Sequence, residues 1–196
     1  MLRTLPIFVM LPILAVAAPA PKEKNALYFA SKVGDKLVYE HQDQDHKNER
    51  TEVVTHVEHK DGRLIVTISR EWDGKSVGPM AYEVSPKGLH MNAGVTSRPH
   101  PLLKLPAKAG DSWLNGPEST DHKGYRSTST ITQTDVDIEV PAGKFKTIRV
   151  ETHITVQDQR LTNICWYAPN VGLVKRITTL ASGERTQTLK SFTPGK

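Results

Sequence analysis

The chain has 196 residues, of which 24% are charged and 6% aromatic, with a formal net charge of +5 and a single cysteine. That length supplies a core for one domain or for two small halves. One cysteine excludes an internal disulfide framework, and the interspersed charges of runs such as ERTEVVTHVEHKDGR exclude the basic stripe that nucleic-acid binding needs.

Residues 1–20, MLRTLPIFVMLPILAVAAPA, place Arg3 before an apolar run from Leu5 to Leu14, followed by the small residues Ala15, Val16, Ala17 and Ala18. This is the order of a secretory signal peptide. The run is shorter than the ~20 apolar residues of a membrane-spanning helix and is broken by Pro6 and Pro12, so it predicts export with cleavage after Ala17. No cysteine follows it to carry a lipid anchor. The expected product is one β domain over 21–196, periplasmic or extracellular.

Beyond the leader, no window keeps apolar residues at helical spacing over three turns. Runs rich in Thr, Val and Ile, separated by glycine turns, predict strands at 36–41, 49–60, 63–72, 77–84 and 88–92. From 93 to 109 the pattern stops, and Pro99, Pro101 and Pro106 exclude a central strand there. Strands are predicted again at 111–115, 125–140, 144–156, 159–168, 172–180 and 185–193. Pro141-Ala142-Gly143 supplies a tight turn, because proline presets φ and glycine tolerates a positive one. In 125–140 the apolar parity changes between Ile131 and Val136, which predicts a bulge near Gln133 to Asp135.

Short connections make neighbours antiparallel. The expected fold is therefore all-β: a curved antiparallel sheet or incompletely closed β-barrel of about ten strands. Gly34-Asp35, Tyr82 and Gly88-Leu89 recur in order as Gly110-Asp111, Tyr167 and Gly172-Leu173. This suggests two related halves, 27–92 and 110–196, joined by a proline-rich crossover at 93–109 that covers a sheet edge.

The motifs VGDKLVYE, AGDSW, VPAGKFKTIRVE and WYAPNVGLVKR together resemble a group of exported bacterial β-rich proteins of unknown function, with folds similar to the lipoprotein carriers LolA and LolB. The resemblance implies a sheet wrapped around an apolar cleft. The chain departs from the carriers in two ways: their lid and plug helices have no counterpart except Pro99 to Ala109, and its strands are only modestly aliphatic.

No residue pattern spells out a reaction. His56 and His59 are three apart and point to opposite faces of a strand, so they cannot chelate together. His41 and His46 flank a turn with Asp43 and Asp45 that lacks the glycine and terminal glutamate of a calcium loop. Neither a metal nor a cofactor is expected. Catalytic residues are not expected either: there is no Gly-x-Ser-x-Gly elbow, and Cys165 has no neighbouring histidine. Cys165 is expected to be a buried inert thiol, and Asp135, Asp137 and Glu139 the wet face of a strand. Trp113 and Trp166 are expected in the core and Trp72 partly exposed. Arg149, Glu151, His153, Glu52 and Glu58 are expected to face outward, which argues against an outer-membrane barrel.

The expected function is a non-enzymatic exported binding or scaffold protein holding an apolar or amphipathic ligand, such as a lipid, on the concave face. The expected groove lies near Trp72, Leu102, Leu103 and Trp166. In the competing account Leu102, Leu103 and Leu105 fill that groove themselves. The alternatives are an interaction module that pairs with an envelope protein through a sheet edge and a hydrolase without local motifs.

Overall fold

The computed structural model describes residues 26–44, 46–92, 99–115, 125–157 and 159–196. The leader at 1–20 and positions 93–98 of the crossover lie outside the described residues. Those described form thirteen strands and no helix: β1 (Lys36–Asp43), β2 (His46–Lys60), β3 (Arg63–Trp72), β4 (Lys75–Ser76), β5 (Met80–Ser85), β6 (Gly88–Asn92), β7 (His100–Lys104), β8 (Ser112–Asn115), β9 (Tyr125–Val140), β10 (Gly143–Val156), β11 (Gln159–Ala168), β12 (Gly172–Leu180) and β13 (Gly183–Thr193).

Twelve of them make one antiparallel sheet in the order β7-β6-β5-β3-β2-β1-β13-β12-β11-β10-β9-β8, with β4 pairing β3 off this path. The sheet is nearly closed into a barrel, with a single unsealed seam between β7 and β8. It is built from two six-stranded meanders. β1 and β13 join them by a ladder running from Lys36 opposite Thr193 to Asp43 opposite Arg185. The Gly-Asp pair that starts each meander makes the same backbone bonds. Gly34 donates to the Val54 carbonyl (2.8 Å) and Val54 to that of Asp35 (2.9 Å); Gly110 donates to Ile131 (2.8 Å) and Ile131 to Asp111 (2.9 Å).

The sheet path has twelve strands rather than about ten: eleven correspond to the predicted runs and the proline-rich crossover contributes one more, β7. β7 lies at the end of the sheet, where a missing ladder donor is tolerated. Pro101 turns its carbonyl to the seam. In an extended strand a residue's N–H and C=O point the same way, so proline here removes a donor from the free edge. The crossover is thus an edge strand rather than a cover over an edge. The bulge expected in β9 is present: Val136 pairs Thr147 but Gln133 pairs Arg149, and Asp135 between them has φ 56°.

The interior has two unlike ends. At the end bearing the β5–β6, β9–β10 and β11–β12 turns, Val66, Ile68, Val84, Leu89, Leu103, Ile131, Val174 and Leu189 are sealed from solvent. Phe29 and Ala30 of the segment before β1 are buried with them, and the Phe29 ring packs on Tyr82 with centroids 4.5 Å apart. This end is dry and filled. Trp113 belongs to it, as expected.

Candidate functional site: a polar cavity inside the barrel

Toward the opposite end the inward side chains turn polar. The ladder aligns Val150, Cys165, Arg176, Gln187, His41 and Asn48 as one cross-strand row through β10, β11, β12, β13, β1 and β2. Alternation does the rest: Leu37, Tyr39 and His41 share one face of β1, and Val174, Arg176 and Thr178 share one face of β12. Between adjacent strands on the inner face, Asn115 donates to Ser129 (2.5 Å), Ser129 and Thr152 hydroxyls lie 2.7 Å apart, and Thr178 donates to Asn163 (2.7 Å).

A cavity of about 280 Å³ opens among His41, Asn48, Arg50, Trp72, Arg176 and Gln187. The imidazole of His41 packs on the Trp72 indole, with centroids 4.6 Å apart. Arg50 pairs with Glu52 at 2.9 Å and covers the Tyr39 ring at 5.4 Å. At the rim Arg185 pairs with Asp43 at 2.7 Å. Arg70 faces Glu52 across the β2–β3 ladder and donates to the carbonyls of Gly78 (3.1 Å) and Val77 (3.4 Å).

Arg176 differs from its neighbours. Among the described residues it makes no ion pair, and its Nε is sealed from solvent without a hydrogen-bond partner. His41 Nε2, Arg50 Nε and Gln187 Nε2 are likewise sealed and without partners. All four nitrogens belong to residues that line the cavity, although the atoms themselves are sealed. Buried polar groups are ordinarily paired, and each unpaired one costs about 1–3 kcal/mol.

The local field follows from burial and charge. Burial, reinforced by Arg50 and Arg176, lowers the His41 pKa to about 4, so its imidazole is neutral at pH 7. Burial raises Glu52 against the opposing pull of Arg50, Arg176 and Arg70. Burial, with Glu52 second, pushes the Tyr82 hydroxyl up to about 12, and burial raises Tyr39 and Tyr167 as well. The three tyrosines thus stay protonated in the interior, and the cavity lining carries three arginines against one aspartate.

The four residues expected to line a groove do not meet. Trp72 lines the cavity. Leu103 is sealed in the apolar core, and Leu102 and Leu105 pack half-buried against it. Trp166 alternates with the inward pair Cys165 and Tyr167 and is not in the core. It lies on the outer face with Arg149 at 5.6 Å and Lys175 at 5.8 Å from its ring. The cavity on the concave face is lined mostly by polar residues and, of the four expected residues, includes Trp72 alone.

Glu52 also corrects its expected outward position, since it is 6% exposed. A bulge between Val54 and His56 reverses the parity of β2, so Glu52 points inward while Glu58, an even number of residues away, points out. Sequence reasoning misses Arg50 and Arg176 because a charged residue in a strand ordinarily marks its wet face. The available signal was their parity with Val54 and Val174. His56 and His59 are both exposed, and among the described residues no group of three or more His, Cys, Asp or Glu could hold a metal ion.

No family model matches the sequence, and no curated protein matches it. Two solved structures share the fold. One is a predicted exported protein with a YmcC-like fold from Bacteroides fragilis, 15% identical, with a TM-score of 0.58 over 86% of this chain and 99% of that one. The other is a predicted lipoprotein from Parabacteroides distasonis, 17% identical, with a TM-score of 0.58 over the same shares. At these identities the likeness establishes a barrel-like all-β fold, and the narrower similarity to LolA and LolB rests on the sequence motifs alone.

Proposed function

We propose that this chain is an exported, non-enzymatic binding protein whose ligand sits inside the barrel at its polar end. The observation that carries the reading is a polar cavity lined by Arg50, Arg176, Arg185 and Trp72, in a region where buried nitrogens of His41, Arg50, Arg176 and Gln187 lack partners. A core built only for stability fills its interior and pairs its polar groups. The apolar end of this barrel is filled. Preorganised polar groups around a concave space are the usual form of a small-molecule site.

Three further features support the reading. Residues 1–20 have the order of an export signal, and both structural neighbours are described as exported or as lipoproteins. The outer face carries ion pairs such as Lys146–Asp137 (3.1 Å) and Arg149–Glu151 (3.2 Å), which suit water better than lipid. A volume of about 280 Å³ suits a small amphipathic molecule or the head group of a larger one rather than a whole lipid.

Native mass spectrometry of protein recovered from the exported fraction tests this. The expected result is a stoichiometric small-molecule adduct lost on denaturation. A ligand-free mass in every preparation, together with no change in melting temperature across organic acids, amides and alcohols, overturns it.

A further inference from the structure

Resting on that reading, we infer that the cavity takes an organic oxyanion, a carboxylate above all, with its charged group held at Arg176 and a flat or short apolar body against Trp72. The argument begins with charge pairing. Three arginines line the cavity, Arg50, Arg176 and Arg185. Arg185 is matched by Asp43 at 2.7 Å and Arg50 by Glu52 at 2.9 Å. Arg176 has no carboxylate within ion-pair distance among the described residues, and its cross-strand neighbours are Cys165 and Gln187. A guanidinium stays protonated under all conditions in which the protein is folded, so this charge cannot be discharged by losing a proton. An inserted anion would meet it.

The neighbouring donors have the right character. Gln187, 4% exposed, has an unpartnered amide nitrogen, and Arg176 and Arg50 each have an unpartnered Nε. The guanidinium fork matches the two oxygens of a carboxylate, and hydrogen bonds to a charged group are the strong ones. Glu52 pairs with Arg50 at 2.9 Å and also feels Arg176 and Arg70, so three cations offset the repulsion it exerts on an anion. The lining also includes an aromatic surface, Trp72, whose indole packs against the His41 imidazole with centroids 4.6 Å apart. The site thus combines cationic groups with an aromatic surface. A long acyl chain has no room beyond it, because Tyr39, Tyr167 and the core behind Phe29 are packed.

Benzoate and its neutral isostere benzamide separate charge from shape. Isothermal titration of the whole domain should show saturable benzoate binding and at least about tenfold weaker binding of benzamide, the ratio expected for one charged hydrogen-bonded contact. Arg176→Met, which keeps the stem and removes the charge, should weaken benzoate by about tenfold or more and leave benzamide unchanged; Arg176→Lys should recover part of the loss. Equal binding of the two probes, or benzoate binding indifferent to Arg176→Met in a folded protein, overturns the oxyanion assignment while leaving a binding protein. Binding of neither probe, with a neutral adduct on the native protein, also overturns it and keeps the broader reading. Binding of neither probe and no adduct overturns both.

Discussion

Trp113 on β8 donates its indole N–H to the carbonyl oxygen of Pro101 on β7 at 3.3 Å, across the seam where the two ends of the sheet meet. Lys104, also on β7, holds its ammonium 5.7 Å from the same ring. One side chain therefore spans a junction that the other joint, β13 to β1, closes with a full ladder.

Trp113→Phe should keep most of the buried area and lose the bond, costing about 1 kcal/mol. Trp113→Ala should cost about 3–5 kcal/mol by leaving a cavity. Hydrogen exchange should rise first in β7 and β8 of the Phe variant. Exchange that rises uniformly over the sheet would show that the seam is not a separately opening unit.

Gly88 and Gly143 both have positive φ, 146° and 128°, but in different surroundings. A Cβ on Gly88 would lie 2.2 Å from the carbonyl oxygen of Leu103 in the adjacent strand, whereas one on Gly143 would meet nothing within 4 Å. Gly143→Ala should lose about 1–3 kcal/mol from backbone strain alone. Gly88→Ala should lose more, since β7 must shift to admit it. Urea unfolding decides; equal losses would mean that β7 yields freely.

Strand positions were legible because alternation and glycine turns are local. Eleven runs were expected, and each lies within or overlaps an observed strand; β4, two residues long, and β7, carrying Pro101, gave too little pattern. The β9 bulge was legible because it breaks parity inside one run, between Ile131 and Val136. The β2 bulge was not, because Thr55 and His56 sit among polar residues and hide the break, which turned Glu52 the wrong way. The cavity was illegible for a related reason. Which arginine lacks a carboxylate depends on register between β1, β12 and β13, and register between distant strands is not written in any single run. Trp166 shows the opposite failure: an aromatic beside a core strand was read as core, although its parity with Ile164 rather than Cys165 places it outside.

Cys165 sits opposite Val150 on one side and Arg176 on the other and is 6% exposed. Labelling by a water-soluble disulfide reagent should follow global opening of the barrel and accelerate steeply in denaturant. Rapid labelling of the native protein would place the thiol at an accessible surface and contradict the packing of this row.

The acid side of the stability curve should carry a signature of His41. Its pKa is about 4 in the folded protein against 6.5 in a free side chain, chiefly from burial and then from Arg50 and Arg176, with Asp73 pulling weakly the other way. Between those values the unfolded chain holds the proton and the folded chain does not, so stability falls as pH drops from 6.5 toward 4. His90 and His100, lowered mainly by burial, act in the same direction, and Glu52, raised mainly by burial, acts in the opposite one. The His41 contribution is therefore read as a difference. His41→Gln should melt with a flatter pH dependence than the parent over this interval. The imidazole resonance should titrate near pH 4 in the parent and at higher pH in Arg176→Met, which removes one repelling cation and leaves the burial. Parallel melting curves for parent and His41→Gln, with an imidazole that titrates near 6.5, would place His41 in water and remove it from the cavity wall.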